Sequence, residues 1–432
     1  MTRVGVFGLL GSGNLGNDGS LEAVLGYLRQ RHPEAIVDGL CGGAEVVRSR
    51  YRIPAAPLNW NPDEYRTASE ARAVSRKLLG KLVDAVRTAR WVRGHDVVIV
   101  PGMGVLEATL PLRPWGFPYS LLLLCAAGRL FGTRVALVSV GADVIAGRAT
   151  RSVVTTAARL ATYRSYRDEL SRAAMRQMGV DTSADEVYPD LAFALPVPAT
   201  TPAPGTVGVG VMAYHGGNAD RARAGEIHAA YAGKLERFVR WLVAEGYRVR
   251  LLTGDRTDEA VAARLVTALS TPAVTAASPS TVDELLREIA AVDAVVATRY
   301  HNVLCALKLG KPTVSIGYAA KNDALMAELG LGEFCQRAHA LDVDRLIVQF
   351  TQLRLRSPEL SRVLAERNAV LARRTEDQFA ALSAVLFPGS TDESQPGAGH
   401  RRRTVVRTGT ARGRAGFLLA HVRPRRRTFR RP

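Results

Sequence analysis

Short apolar runs alternate with longer amphipathic stretches through most of this chain, and the runs end in glycine or in a polar cluster. "TRVGVFGL" is β-branched and opens the series; a glycine-rich loop and a helical pattern through Leu21, Val24, Leu25 and Leu28 follow it. "AIVDGLC" comes next, then a long polar, helix-rich stretch to about Arg93. "HDVVIVPGM" and "TRVALVSVGAD" are continuous apolar runs, the mark of parallel strands buried on both faces. Between them "SLLLLCAAGRLFG" has helical length and a glycine stop.

The segment from Pro196 to Gly205, "PVPATTPAPG", has four prolines and reads as an extended linker. A second alternating series then starts, with "TVGVGVMAY", "YRVRLLTGD", "AVTAAS", "DAVVATRY" and "PTVSIGY" as strands. Two βα series joined by a short linker predict an α/β protein of two Rossmann-like domains facing across a cleft. The expected boundaries are 1–195, a linker at 196–205, and 206–387 closed by the helices of Leu341 to Phe387. Residues 388–432 form a polar, then arginine-rich, tail whose composition predicts disorder.

Composition changes this picture little, and charge changes it in one place. Of the formal net charge of +18, twelve arginines lie between Gln395 and Pro432 with no acidic residue among them, leaving +6 for the rest. The tail has no folded module and few aromatics, so nucleic acid is not the expected partner. Attraction to anionic lipid suits it better, with "GFLLAHV" as a short apolar patch among the arginines. No apolar run is long enough to span a bilayer and no signal peptide opens the sequence, so the expected location is cytoplasmic, peripheral at the inner membrane face. Cys41, Cys125, Cys305 and Cys335 lie far apart in mostly apolar surroundings, and no histidines pair at ligand spacing; neither a disulfide framework nor a metal site is expected.

Candidate chemistry gathers at the ends of the predicted strands. In "GLLGSGNLGNDGS" the glycines Gly11, Gly13 and Gly16 match a dinucleotide fingerprint, and Asp38 stands where a ribose-binding acid would. Asn14, Asn17 and Asp18 form a polar cluster at the helix start, suited to sugar hydroxyls or to capping. "PGMG" sets Gly102 and Gly104 at the end of a buried strand, permitting close backbone approach or only a tight turn. "YRDELS" offers Arg167, Asp168 and Ser171, an anion-binding arginine or a surface ion pair. The most informative segment is "RYHNVLCALKLGKPTVSIGYAAK", where Arg299 and His301 follow one strand and Tyr318 and Lys321 the next. That pattern presents fixed cations beside a titratable proton carrier.

Together these motifs resemble the polysaccharide pyruvyltransferase family. The likeness rests on "GSGNLGND", "PGMG", Arg167-Asp168-x-x-Ser171, "YPDLAF" with Asp190, and the R-x-H…P-x-V-x-I-x-Y-x-x-K block, in order from about Val4 to Gly332. The family's Gly-Asp is here Gly16-Asn17, and Met103 replaces a glycine of its turn. The resemblance implies a fold similar to GT-B glycosyltransferases and transfer of pyruvate from phosphoenolpyruvate to a sugar as a ketal. Phosphoenolpyruvate is then a co-substrate, with no cofactor or metal. It implies that Arg299, Arg167, Lys321 and Tyr318 bind the donor, with His301 and Arg299 catalytic. Gly13, Asn14, Asn17, Asp18, Gly102 and Gly104 would face a glycan or lipid-linked glycan acceptor from the first domain. A nucleotide-sugar glycosyltransferase of the same architecture is the alternative, its donor site built from "VGVGVMAYHGGN" and "LLTGDRTDEA" with Asp255 and Glu259. A non-catalytic scaffold is a third reading.

Overall fold

The alternating pattern becomes two parallel sheets in the computed structural model, which describes residues 1–60, 71–107 and 114–388. The first series is β1 (Arg3–Gly8), α1 (Leu15–Arg31), β2 (Ile36–Cys41), α2 (Ala44–Tyr51), β3 (Ala55–Pro57), α3 (Ala71–Arg93), β4 (Val97–Pro101), α4 (Phe117–Phe131), β5 (Arg134–Val140), α5 (Arg148–Leu160), β6 (Tyr163–Tyr166), α6 (Glu169–Gln177) and β7 (Glu186–Val187). The second is β8 (Thr206–Gly210), α7 (Ala224–Ala244), β9 (Arg248–Leu252), α8 (Glu259–Leu269), β10 (Val274–Ala277), α9 (Val282–Ala290), β11 (Ala294–Ala297), α10 (Tyr300–Lys308), β12 (Thr313–Gly317), α11 (Ala320–Glu328) and β13 (Cys335–Arg337). Helices α12 (Val343–Leu355) and α13 (Ser357–Leu386) close the described chain.

The strand orders are β3-β2-β1-β4-β5-β6-β7 and β10-β9-β8-β11-β12-β13. Pairing along both sheets is parallel. Strands β4, β11 and β12 are buried at every position, which is why they read as unbroken apolar runs instead of alternating ones. Each sheet reverses direction once, between β1 and β4 and between β8 and β11. In such sheets ligands bind outside the carboxyl ends of the strands near that reversal.

Both sheets belong to one compact unit, Met1–Gly389. Helix α13 explains part of that unity, because after leaving the second sheet it returns to the first. Its Asn368 Nδ2 donates to the carbonyls of Leu307 and Lys308, while Gln378 Nε2 donates to Ser139 Oγ at 2.6 Å. Further along, Phe379 stacks on Tyr27 at 4.7 Å and the Ser383 hydroxyl bonds the Tyr27 hydroxyl. Among the described residues no helix is long and apolar enough to cross a membrane. The arginine-rich tail expected from composition lies outside the described residues. Cys41, Cys125 and Cys305 are buried free thiols and Cys335 is a half-buried one.

Candidate active site

Five strand ends deliver the site. Arg167 follows β6, Glu107 closes the turn after β4, and Asp190 begins the short 3-10 turn Leu191–Ala194. From the second sheet, Tyr300 and His301 start α10 after β11, and Lys321 lies in the first turn of α11 after β12.

Arg167 is the centre of this cluster, with only 3% of its side chain exposed. Its guanidinium is bonded to Glu107 and lies 3.6 Å from Asp190 Oδ2 and 3.7 Å from Asp168 Oδ2. The Tyr300 ring packs against its flat face, 5.0 Å from Cζ to the centroid. Lys321 Nζ donates to the other Glu107 oxygen at 3.0 Å and lies over the rings of Tyr300 and Tyr318. Burial works to raise the Glu107 pKa, but Arg167 and Lys321 outweigh it and hold the carboxyl below its usual range. One carboxylate thus bridges two cations that come from opposite domains.

His301 faces the same cluster, with Nε2 3.9 Å from Asp190 Oδ2. Burial, and then the cations Arg167 and Lys321, push its pKa down to about 4 against the pull of Asp190 and Glu107. The ring, 20% exposed, is therefore neutral at pH 7. It fits because residue 16 is glycine: a Cβ there would fall far inside the 3.0 Å limit of real Cβ contacts with the imidazole. Gly141 makes room in the same way for the Arg167–Glu107 pair.

Arg299 stands apart from this cluster and is held differently. Its Nε and Nη2 make a forked pair with Asp258 at 2.8 and 2.6 Å, and Nη2 also donates to Thr257 Oγ1. Asp258 is fully buried and also accepts from the backbone N–H groups of Ala213 and Gly254. Arg299 occupies the N-cap position of α10 but caps nothing with its side chain, so the first N–H groups of that helix are left to another partner. Beside them, buried Asn302 has neither Oδ1 nor Nδ2 hydrogen-bonded among the described residues, and lies against Gly210 and Gly254.

The opening loop forms the opposite wall and touches the second domain. Asn14 makes an isolated bridge with Asp255, and Gly13, at φ +94°, lies against the Arg256 stem. The polar cluster has jobs within the loop. Asn14, not Asn17 or Asp18, is the N-cap, accepting from Gly16 and Asn17; Asn17 Nδ2 donates to the Leu9 carbonyl. Buried Asp18 accepts from the Gly11 N–H at 2.7 Å and lies 3.5 Å from Arg50. Gly102 is at φ +52° against Ser20, and Gly104 is packed under the Glu107 carboxyl. Met103, standing where the family has glycine, takes φ +62°, a left-handed conformation costing about 1 kcal/mol for a residue with a Cβ.

Two readings left open by the sequence are decided here. Asp38, the would-be ribose acid, instead accepts from Trp91 Nε1 at 2.6 Å and contacts His95 Nε2 at 3.0 Å. Arg167-Asp168-x-x-Ser171 is not a solvated surface motif: Asp168 caps α6 and the Ser171 hydroxyl accepts from the Ala142 N–H. Glu107, Tyr300 and Asn302 were not singled out in the sequence. The signal for Glu107 is an isolated acid in "GVLEA", three residues past the last glycine of the turn.

Several solved structures share this architecture. A UDP-GlcNAc 2-epimerase from Neisseria meningitidis bound to UDP-GlcNAc is 13% identical, with a TM-score of 0.57 over 89% of this chain and 100% of that one. Anabaena HepE in complex with UDP is also 13% identical, TM-score 0.55, over 89% and 99%. MurG from Acinetobacter baumannii is 14% identical, TM-score 0.50, over 89% and 100%. At these identities the likeness establishes the fold, which is GT-B-like. Comparison with curated protein sequences finds no match. The family model for polysaccharide pyruvyl transferase spans residues 14–319, from the Asn14 cap to the end of the β12 loop, and so takes in the strand ends that carry Glu107, Arg167, Asp190, Arg299 and His301. The chain belongs to the polysaccharide pyruvyl transferase family, a family of transferases.

Proposed function

We propose that this protein transfers the pyruvate unit of phosphoenolpyruvate to two hydroxyls of one sugar in a cell-surface glycan or its lipid-linked precursor. The product is a cyclic ketal, and phosphate is released. One observation carries this reading: Arg167 and Lys321 converge on a single carboxylate, Glu107, beside the His301 imidazole on the interdomain face. Glu107 holds the two cations as a substrate carboxylate would, and the donor engages them by displacing it. Arg299, the N-terminus of α10 that its side chain leaves uncapped, and the Asn302 amide, unpaired among the described residues, suit the phosphate. Tyr318, beside Lys321, lines the donor side.

The chemistry follows from these groups. A proton is added to the methylene carbon of the enol, making it a methyl group and leaving an oxocarbenium-like centre at C2. One sugar hydroxyl attacks that carbon and loses its proton. The C2–O bond to phosphate breaks, a second hydroxyl closes the ring and loses its proton, and phosphate departs as the monohydrogen dianion. Charge and hydrogens balance, from a trianion and two hydroxyls to a carboxylate ketal and HPO₄²⁻. His301 handles the proton. A trianionic donor beside it raises its pKa from the low ligand-free value, so the imidazole gains its proton as the donor binds. Asp190 orients the ring and stabilises the imidazolium.

The test is phosphate release from phosphoenolpyruvate across a panel of p-nitrophenyl pyranosides, with the ketal carbon followed by NMR. Release that requires both reactants supports the proposal; release or binding indifferent to Lys321→Ala and His301→Gln refutes it. A specific observation also favours the nucleotide-sugar reading. A cavity of about 280 Å³ takes Ala213 and His215 from one segment that reading requires and Thr257 and Ala260 from the other, its remaining wall coming from α7 and α8 through His228, Ala232, Val261 and Arg264. Stabilisation by UDP without phosphoenolpyruvate turnover would select it.

A further inference from the structure

Outside the cleft, the first domain carries an apolar surface that the described residues leave exposed. On α3, Leu79, Leu82 and Val86 are 57%, 65% and 52% exposed. Their i, i+3, i+7 spacing puts them on one side of the helix, opposite the turn that buries Asp84 and Thr88. Two tryptophans flank this helix. Trp60, 55% exposed, donates its backbone N–H to Asp84. Trp115, 66% exposed, packs edge-on against Tyr119, whose hydroxyl donates to the Lys81 carbonyl.

Charge indicates what covers this face. Over Ala71–Arg93 the sequence has seven basic residues, Arg72, Arg76, Lys77, Lys81, Arg87, Arg90 and Arg93, against a single acid, Asp84, which is buried. An exposed leucine and valine stripe on a basic helix, edged by tryptophans, has the composition of an interfacial helix lying in the headgroup region of an anionic bilayer. The topology agrees. Trp60 follows the carboxyl end of β3 and Trp115 lies between β4 and α4, so both are at the edge of the sheet that also bears the candidate active site. Helix α3 runs back from that edge to begin β4, with Leu79 and Leu82 in its first half.

We infer that the outward face of α3, with Trp60 and Trp115, docks the folded body of this protein on an anionic phospholipid surface. Docking there brings the cleft edge to the membrane. The inference stands on surface geometry alone and does not depend on the reaction proposed above.

The experiment uses the full chain with vesicles of phosphatidylcholine alone and of phosphatidylcholine with about a third phosphatidylglycerol. The parent is expected to co-sediment with the anionic vesicles only, and brominated lipid is expected to quench its tryptophan fluorescence. Replacing Trp115 with Phe should remove part of that quenching. A Leu79→Gln, Leu82→Gln, Val86→Gln variant should bind about ten-fold or more weakly. Its thermal unfolding should stay at the parental midpoint, because the replaced side chains are solvated. Parental vesicle binding by the triple variant, or binding without quenching, overturns the inference and transfers the contact to another basic segment. A parent that ignores vesicles but is a dimer, converted to monomer by the triple variant, overturns it in favour of self-association.

Discussion

Gly16→Ala isolates the interdomain contact on which the proposed chemistry depends. On α1 alone the change is favourable, since alanine exceeds glycine in helix propensity by up to ~1 kcal/mol. Against that, the new methyl group would overlap the His301 ring, with Cε1, Nδ1 and Nε2 all inside 3.0 Å. The ring is partly solvated, so it can rotate away at a cost of about 0.5–1.5 kcal/mol for an off-rotamer side chain. The two effects nearly cancel, and thermal stability should change by less than ~1 kcal/mol. Function should not be spared. A retreat of about 1 Å by a proton-transfer group costs on the order of 10²-fold in rate. Displacement toward water also relieves the burial that lowers the His301 pKa. The His301 Cε1–H resonance, assigned by its absence in His301→Gln, should titrate above the ligand-free value of about 4 and toward 6.5. A Gly16→Ala protein with parental phosphate release and an unmoved titration would show that the loop and the imidazole do not meet as described.

Other expectations follow from the same geometry. Glu107→Gln removes one negative charge from between Arg167 and Lys321, so phosphoenolpyruvate should bind about ten-fold more tightly by calorimetry. His301 binds its proton less readily folded than unfolded, so the unfolded state holds more protons between pH 6.5 and about 4. Stability should therefore fall as pH drops through that window, and His301→Gln should flatten the slope by up to one proton in denaturant titrations. Arg299→Ala leaves Asp258 charged and buried, which should cost ~2 kcal/mol given the partial exposure of the arginine. In a double-mutant cycle, Asp258→Ala should recover part of that loss. Phe379→Ala empties the stack on Tyr27 and should destabilise by ~3 kcal/mol, detaching α13 from the first sheet.

The strand frame was legible because strands buried on both faces have no freedom to alternate: "VVIVP" and "TVSIG" carry apolar or small residues throughout. Arg299, His301 and Lys321 were legible for a related reason, since they follow such runs and must stand at a carboxyl edge; Arg167 was legible only as part of a polar helix start, because the strand before it, "YRSY", has no apolar run. What the pattern could not reveal is any relation that exists only across the cleft. Glu107 is one acid in an apolar loop until Lys321, 214 positions later, bonds its second oxygen. Asp18 looks ligand-facing in sequence, yet its carboxylate is spent on the Gly11 N–H, a partner seven residues back around the loop. Helix α13 is readable as a helix, but nothing local says that its Gln378 will seek Ser139.

That dependence on the cleft also governs how the site must work. Arg167 is surrounded by Glu107, Asp168 and Asp190, so its charge is already compensated, and its side chain is sealed from solvent. On the proposed reading a donor anion exchanges with a carboxylate there instead of adding to Arg167. On the proposed reading Glu107 is the carboxylate that yields, because its two cations lie on different domains. Asp168 and Asp190 are pinned by the turns they cap and cannot follow. The Lys321–Glu107 bond is one of the contacts that join the two domains at this site. Lys321→Met, which keeps the stem over Tyr300 and Tyr318 but removes the charge, should weaken phosphoenolpyruvate binding by about ten-fold or more while leaving thermal unfolding within ~1 kcal/mol of the parent. A large stability loss with unchanged affinity would make the bond a structural tie and not part of the donor site.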